Sequence, residues 1–311
     1  MMSRKGEYGI PGNDWSETVH RAGFVTLLGL PNVGKSSLLN RILGNRVSIV
    51  TEKPQTTRRI VKGILNHSEY QIVFLDTPGF HEPRDVLGKS LVTSTRQSLY
   101  STDIVLYLTA PDVQEEEPSV ILYPDLLKRV PVLLVPNKVD TLRLETRSSF
   151  ISRVANTVSF EGIYPVSAVT GEGVAELLLE IVSRLPEHPP YYHADFYTDL
   201  TERDICAELI RESAWAHCYQ EIPYGTEIRI EEFREKAGKT YIRALVYVER
   251  EAHKKIVIGR NGSMIKRIGA QARATIENLL GQSVYLDLWV KVEKNWRKRI
   301  EILRKWGYQT P

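Results

Sequence analysis

Apolar residues are distributed along this chain in two different ways, and the change falls near Pro186. Before it they gather in short runs of strand length, at 24–28, 60–65, 71–75, 103–108, 130–135 and, more briefly, 162–166. Continuous runs of this type are expected where a mostly parallel sheet is covered on both faces. The helical spacing between them, as at 37–43 and 174–185, predicts right-handed strand–helix–strand crossovers. Residues 186–192 hold Pro186, Pro189 and Pro190, which cannot continue a helix and predict a stiff, extended linker over 186–199. Beyond it, helical spacing at 200–219 (Ile205, Leu209, Ile210, Ala214) precedes two strands, 226–230 and 241–248, in which polar and apolar positions alternate. Residues 256–258, the turn Gly259-Arg260-Asn261-Gly262, a helix from Ser263 to about Leu280 and a strand at 284–292 follow. In that last strand Leu286, Leu288 and Val290 share one face by partial alternation, and Trp289, opposite them, is assigned to packing. The pattern predicts an α/β domain over 22–185 and an α+β domain over 200–311. A flexible extension over 1–21 precedes them, where Gly6, Gly9, Pro11 and Gly12 interrupt any period.

Composition agrees with two ordinary domains: 311 residues, 42% hydrophobic and 25% charged, exclude disordered and fibrous classes. No apolar run approaches the ~18 residues of a spanning helix, and residues 1–7 lack a signal-peptide core, so a cytoplasmic location is expected. Cys206 and Cys218 lie in one helical stretch and form neither a metal spacing nor a disulfide framework. The net charge of +3 says little until its placement is considered.

Chemistry enters between the first strand and the first helix, where Gly29-Leu30-Pro31-Asn32-Val33-Gly34-Lys35-Ser36 fits the phosphate-loop spacing G-x-x-x-x-G-K-[ST]. Its glycines let successive N–H groups, together with the helix beginning at Ser37, face a polyphosphate. Lys35 reaches the β- and γ-phosphates and Ser36 places a hydroxyl on Mg²⁺. Residues 51–59 hold a proline and the pair Thr56-Thr57, a loop able to change conformation. The strand at 71–75 runs into Asp76-Thr77-Pro78-Gly79, where the carboxylate can hold Mg²⁺ and the Gly79 amide can contact the γ-phosphate. The strand at 130–135 runs into Asn137-Lys138-Val139-Asp140. Asn137 can bond a purine edge and the Lys138 stem can cover a ring. The two oxygens of Asp140 match the N1–H and 2-amino donors of guanine, which adenine lacks. Ser167-Ala168 then lets a backbone N–H approach the guanine oxygen.

In this order the motifs resemble the GTP-binding fold of the translation-factor and Era-like GTPases, over about residues 22–185. The resemblance implies that a threonine completes the Mg²⁺ shell, with Thr57 the best match and Thr56 the other candidate. Ras-type enzymes carry a glutamine after Asp-Thr-Pro-Gly; here Phe80 stands there, so no side chain at that position orients the attacking water and unaided hydrolysis is slow. Asn32 matches an asparagine associated in the Era-like branch with K⁺ acting in place of an arginine finger; its other reading is a turn-stabilising residue beside Pro31.

The second domain's order, α-β-β-α-α-β around Gly259 and Gly262, resembles a type II KH module, an RNA-binding fold. Lys254, Lys255, Arg260, Lys266, Arg267 and Arg273 gather around the turn, with no acid between Ala252 and Ile276. Ile256, Ile258 and Ile265 are expected to offer an apolar surface to splayed bases. Asn261 stands where family members commonly carry glycine and tolerates left-handed backbone. The tail adds Lys294, Arg297, Lys298, Arg299, Arg304 and Lys305 with Trp296 and Trp306.

A GTPase domain followed by a type II KH domain is the architecture of the Era GTPases. The resemblance implies a monomeric assembly factor that binds GTP/GDP with Mg²⁺ and the 3′ end of 16S ribosomal RNA, and helps mature the small ribosomal subunit. It also implies peripheral association with the inner membrane. Two other classes stay open: a metabolic phosphate-loop kinase, which has no use for Asn137 and Asp140, and an RNA-binding scaffold or chaperone with a weakly active nucleotide site.

Overall fold

A computed structural model describes residues 20–51, 53, 57–79, 83, 85–113, 129–155, 159–236 and 238–310. Most of the N-terminal extension, Thr56 and Phe80 lie outside them. The described chain falls into two compact units, whose larger blocks part between Asp199 and Leu200.

The first unit is built on a six-stranded sheet of order β2-β3-β1-β4-β5-β6. Its strands are β1 (Arg21–Leu28), β2 (Val61–Asn66), β3 (Tyr70–Asp76), β4 (Ile104–Thr109), β5 (Val132–Pro136) and β6 (Gly162–Ile163). All neighbours pair in parallel except β2 with β3, which are antiparallel. Its helices include α1 (Lys35–Leu43), α2 (Val86–Ser98), α3 (Leu144–Ala155) and α4 (Val174–Arg184). The continuous apolar runs have the two-sided burial that covered parallel strands require. Val25 and Leu27 of β1 with Leu106 and Leu108 of β4 pack on Leu38, Leu39, Leu177 and Ile181 of α1 and α4. Leu28, Val105, Tyr107 and Leu134 face the other way, against Leu99, Val154 and Phe160.

The segment after α4 is laid along β2 and β3. Gln71, 1% exposed, donates to the Asn66 side chain (2.7 Å) and the Tyr192 carbonyl (2.8 Å) and accepts from the N–H groups of Tyr191 (2.7 Å) and Tyr192 (2.9 Å). Thr198 donates to the Lys62 carbonyl at 2.7 Å, and Lys62 pairs with Asp199 at 2.9 Å. The prolines stiffen this segment, and Gln71 fixes where it lies.

The second unit follows α5 (Glu202–His217), β7 (Glu227–Lys236), β8 (Lys239–Val248), α6 (Glu251–Ile258), α7 (Ser263–Leu280) and β9 (Ser283–Val292), then α8 (Ile300–Lys305). Thr201 and Asp204 form a reciprocal capping box that starts α5. The sheet order is β7-β8-β9, with β8 antiparallel to β7 and parallel to β9. Alternation puts Ile242, Ala244, Val246 and Val248 on a buried face with Ile205, Leu209, Val257, Ile268 and Ile276 of the helices. The tail's aromatics serve packing: Trp296 is fully buried and Trp306 and Tyr308 nearly so. Trp289 departs from its expected role, being 55% exposed, because only one face of β9 meets the helices.

Candidate functional site

The carboxyl ends of β1, β3, β5 and β6 carry the four groups of residues that the sequence marks, since a parallel sheet points these ends one way. Between β1 and α1 the chain turns through Asn32 (φ 66°) and Gly34 (φ 94°), both left-handed. A Cβ at Gly34 would lie 2.3 Å from the Asn137 amide nitrogen, so glycine is required by space as well as by backbone. Likewise a Cβ at Gly79 would lie 2.7 Å from the Pro31 nitrogen, which sets the end of β3 directly against the loop. Val33 is fully buried and anchors the loop, while Asn32 is exposed on it. Lys35 is buried, its ammonium donating to the carbonyls of Gly29 (3.0 Å) and Leu30 (2.9 Å). Pro31, Ser36 and Ser37 are partly exposed along the same turn.

Asp76, fully buried at the end of β3, is the centre of a hydroxyl cluster. Its Oδ2 accepts from Ser36 at 2.6 Å and from Ser48 at 2.7 Å, and the Thr57 hydroxyl lies 3.2 Å from that of Ser36. Burial pushes the carboxyl above the usual carboxylate range, against the opposing pull of Ser36, Lys35, Ser48 and Thr57. Oδ1 is buried with no hydrogen-bond partner among the described residues. A desolvated carboxylate oxygen beside hydroxyls is the oxygen donor set that suits Mg²⁺, which takes one or two carboxylates plus phosphate and water oxygens. Among the described residues no group of three or more His, Cys, Asp or Glu gathers to hold a metal by itself. The residues present therefore fit a metal that arrives with a phosphate ligand. Thr77 is turned away, donating to the Leu27 carbonyl at 2.6 Å, and with buried Pro78 and Gly79 it fastens the strand end.

After β5, Asn137 is a tie between two loops: its amide donates to the Val33 carbonyl (2.9 Å) and accepts from the Ala168 N–H (3.1 Å). Lys138 has φ 59° and pairs with Asp112 at 2.7 Å, which stretches its stem alongside the turn. Asp140 is exposed on that turn. Ser167 is buried and its hydroxyl accepts from the Thr170 N–H at 3.0 Å, which shapes the loop presenting Ala168.

Three supporting residues carry no motif. Ser48 is 2% exposed on Asp76; Asn40 of α1 positions it, accepting from the Val47 (2.9 Å) and Ser48 (3.0 Å) N–H groups and donating to the Ser48 carbonyl (2.7 Å). Arg41 donates to the carbonyls of Ala168 (2.9 Å) and Val169. The one sequence signal was the polar pair Asn40-Arg41 set between the packing residues Leu39 and Ile42 of α1.

The second unit's candidate surface lies around the α6–α7 turn. Gly259 has φ 75°, and a Cβ there would lie 2.7 Å from the Met264 nitrogen; Asn261 (φ 52°) and Gly262 (φ 76°) are left-handed. No side chain of the described residues caps α7. Lys255, Arg260, Asn261, Lys266, Arg267 and Arg273 are exposed, and Lys254 and Ile258 are partly so. A concavity of about 320 Å³ beside the turn is lined by Ile265, Lys266, Gly269, Ala270 and Arg273 of α7 and by Leu286 and Leu288 of β9. Ile256, 49% exposed, and Ile258 do not line it; strand β9 supplies the apolar wall instead. No helix of the described residues is long and apolar enough to cross a membrane.

Two family models match the chain: 50S ribosome-binding GTPase over residues 24–138 and KH domain over residues 221–297. GTPase Era of Clostridium acetobutylicum is 41% identical over 94% of this chain and 99% of its own length. GTPase Era of Caldanaerobacter subterraneus subsp. tengcongensis is 43% identical over 93% and 98%. A crystal structure of Era in complex with MgGDPNP and nucleotides 1506–1542 of 16S ribosomal RNA superposes with a TM-score of 0.88 at 38% identity, over 93% of this chain and 99% of that one. The same values hold for a single-substitution variant of Aquifex aeolicus Era bound to GDP·AlF₄⁻. With both domains matched in order and nearly the full length of each relative covered, the chain belongs to the Era GTPase family.

Proposed function

We propose that the chain is a GTP-hydrolysing switch that binds the 3′ end of 16S ribosomal RNA and assists maturation of the small ribosomal subunit. The observation that carries the nucleotide half is the Asp76 cluster, a buried carboxylate, one of whose oxygens has no partner among the described residues, beside the hydroxyls of Ser36 and Thr57 at the mouth of a phosphate loop. The RNA half is supported by the basic, apolar-walled concavity on α7 and β9 and by the relative that holds MgGDPNP and 16S ribosomal RNA together.

Ser36, Thr57 and Asp76 would hold Mg²⁺, which when bound neutralises charge developing on the phosphate oxygens. The loop amides and Lys35 bind the β- and γ-phosphates, Lys35 exchanging its bonds to Gly29 and Leu30 for phosphate oxygens. Gly79 offers an N–H to the γ-phosphate. Asp140 accepts the N1–H and 2-amino protons of guanine, while Asn137 holds the base loop and the phosphate loop in one frame. With Phe80 after Gly79, turnover without a partner is slow; Asn32 would hold a K⁺, which when bound would supply positive charge beside the phosphates. Loss of the γ-phosphate releases the Thr57 loop and changes RNA affinity. The same reading takes the chain as a monomer with peripheral membrane contact; sedimentation with and without lipid vesicles reads both.

Turnover of GTP and ATP, with and without RNA and in K⁺ or Na⁺, is the test. GTP alone should turn over, faster in K⁺; Asn32→Ala should remove the K⁺ effect; and Asp140→Asn should weaken GTP binding about 10²-fold by leaving donors unmatched. No hydrolysis under any condition would favour the scaffold, and equal use of ATP would exclude the guanine assignment.

A further inference from the structure

The sheet of the second unit has an outer face, opposite the one that packs on α5, α6 and α7. Register sets its membership: Arg243 and Tyr241 of β8 lie between Glu232 and Arg234 of β7 and Asp287 and Tyr285 of β9, and Leu245 lies opposite Trp289. At one end the C-terminal segment covers this face. The Trp306 ring lies 4.9 Å from that of Tyr247, Arg229 donates to the Trp306 carbonyl at 3.1 Å, and the Tyr308 hydroxyl donates to Glu227 at 3.0 Å. The other end is open, with Tyr285 57% and Trp289 55% exposed.

The aromatic groups at the open end are ordered. The Tyr241 and Tyr285 rings stack across the strands, centroids 5.7 Å apart and planes 12° from parallel. One carboxylate arranges the set: Asp287 accepts from the Trp289 indole N–H (2.9 Å), the Tyr241 hydroxyl (3.2 Å) and Arg243 (3.0 Å), whose guanidinium also lies 5.7 Å from the Tyr241 ring centre. Exposed aromatics gathered in one patch mark a binding surface rather than a packing remnant. Charge selects the partner class. Arg234, Lys236, Lys239 and Arg243 against Glu232 and Asp287 leave a surplus of two positive charges around the rings. Ordered rings within a positive rim suit single-stranded nucleic acid, whose bases stack and whose backbone is anionic. The location points the same way: β9 is an edge strand, and its other face supplies Leu286 and Leu288 to the basic concavity. A strand leaving the concavity over that edge meets Tyr285 and Trp289 next.

We infer that the open end of this outer face is a stacking platform for single-stranded RNA, engaged by nucleotides of the same strand that fills the concavity. This rests on the RNA-binding reading above and extends it to a second surface. Because stacking is tolerant of base identity, the platform adds affinity and length dependence rather than sequence preference.

The test uses the full chain with two RNAs: nucleotides 1506–1542 of 16S ribosomal RNA, and the shortest fragment of it whose binding Arg273→Glu still weakens. The double variant Tyr285→Ala/Trp289→Ala should bind the long RNA about tenfold or more weakly and the short fragment as the unaltered chain does. Tyr285→Phe/Trp289→Phe, which keeps the rings, should restore long-RNA affinity and so separates stacking from damage to the sheet. Unchanged long-RNA affinity in the alanine variant, or no recovery in the phenylalanine variant, would overturn the platform. If Arg273→Glu weakens no RNA at all, the concavity reading falls instead, while the alanine variant still decides the platform.

Discussion

The candidate nucleotide site and the candidate RNA surface are built to meet anions in opposite ways. In the first unit the carboxylate that a metal would meet is fully buried at the end of a doubly covered strand, and its partners are fixed within 2.6–2.7 Å. In the second unit the cations lie on a turn and on the two helices it joins, most of them exposed, and the sheet supplies Leu286 and Leu288 to the apolar wall. Buried polar groups act at short range, weakly screened, so that each has a large and specific effect. Exposed cations act together, are screened by salt, and can be lost singly at small cost. The difference teaches that the chain separates chemistry from grip: one site must be built to a fraction of an ångström, and the other needs positive charge and a shape.

Removing the buried carboxylate should have the largest effect. Asp76→Asn should cut turnover about 10³-fold, as for loss of a preorganised electrostatic group, while raising the melting temperature of the nucleotide-free protein. The sign follows from the direction of its shift. A carboxyl raised above its unfolded value contributes stability in full below that unfolded value and loses it as pH rises through the folded one. The nucleotide-free protein should therefore weaken as pH climbs out of the acid range, Asp76→Asn should flatten that slope, and Mg²⁺·GDP binding should strengthen with pH. A flat profile in the unaltered chain would break the contrast. Next in size is salt: with about five phosphates neutralised, RNA affinity should fall about 10²-fold between 50 and 200 mM salt, whereas Mg²⁺·GDP affinity should change far less. Ser48→Ala removes one donor to Asp76 and should weaken Mg²⁺ binding about tenfold, with RNA affinity in the absence of nucleotide unchanged. The smallest effect concerns Cys206 and Cys218. Burial pushes these thiols up to about 12 and about 11, so the native protein should resist thiol reagents at pH 8 and react only when unfolded.

The same contrast explains what was legible in the sequence. Phosphate, Mg²⁺ and guanine chemistry demands particular residues at fixed spacing, so Lys35, Ser36, Asp76 and Asp140 could be singled out as candidates from the sequence, and buried strands announced themselves by continuous apolar runs. Ser48 and Asn40 could not be, because a serine in an aperiodic loop carries no pattern until the fold carries it to Asp76. Gln71 was a missed signal: a glutamine opening an apolar strand needs buried partners, and it found them in the segment carrying Tyr191 and Tyr192. In the second unit, element order was legible but edges were not. Strand β7 runs on to Lys236, beyond the expected end at Ile230, because pairing with β8 carries the charged stretch and a bulge at Ile230/Glu232 shifts its register. Trp289 was given the correct period and the wrong environment, since alternation identifies two faces without saying whether both are covered.

The most direct measurement is the affinity of the full chain for nucleotides 1506–1542 of 16S ribosomal RNA, with Mg²⁺ and either a non-hydrolysable GTP analogue or GDP bound. A nucleotide-timed RNA switch predicts about tenfold tighter binding in the GTP-analogue state, within the usual range of coupling between sites, and loss of that difference in Asp76→Asn. Equal affinity in the two nucleotide states would contradict it.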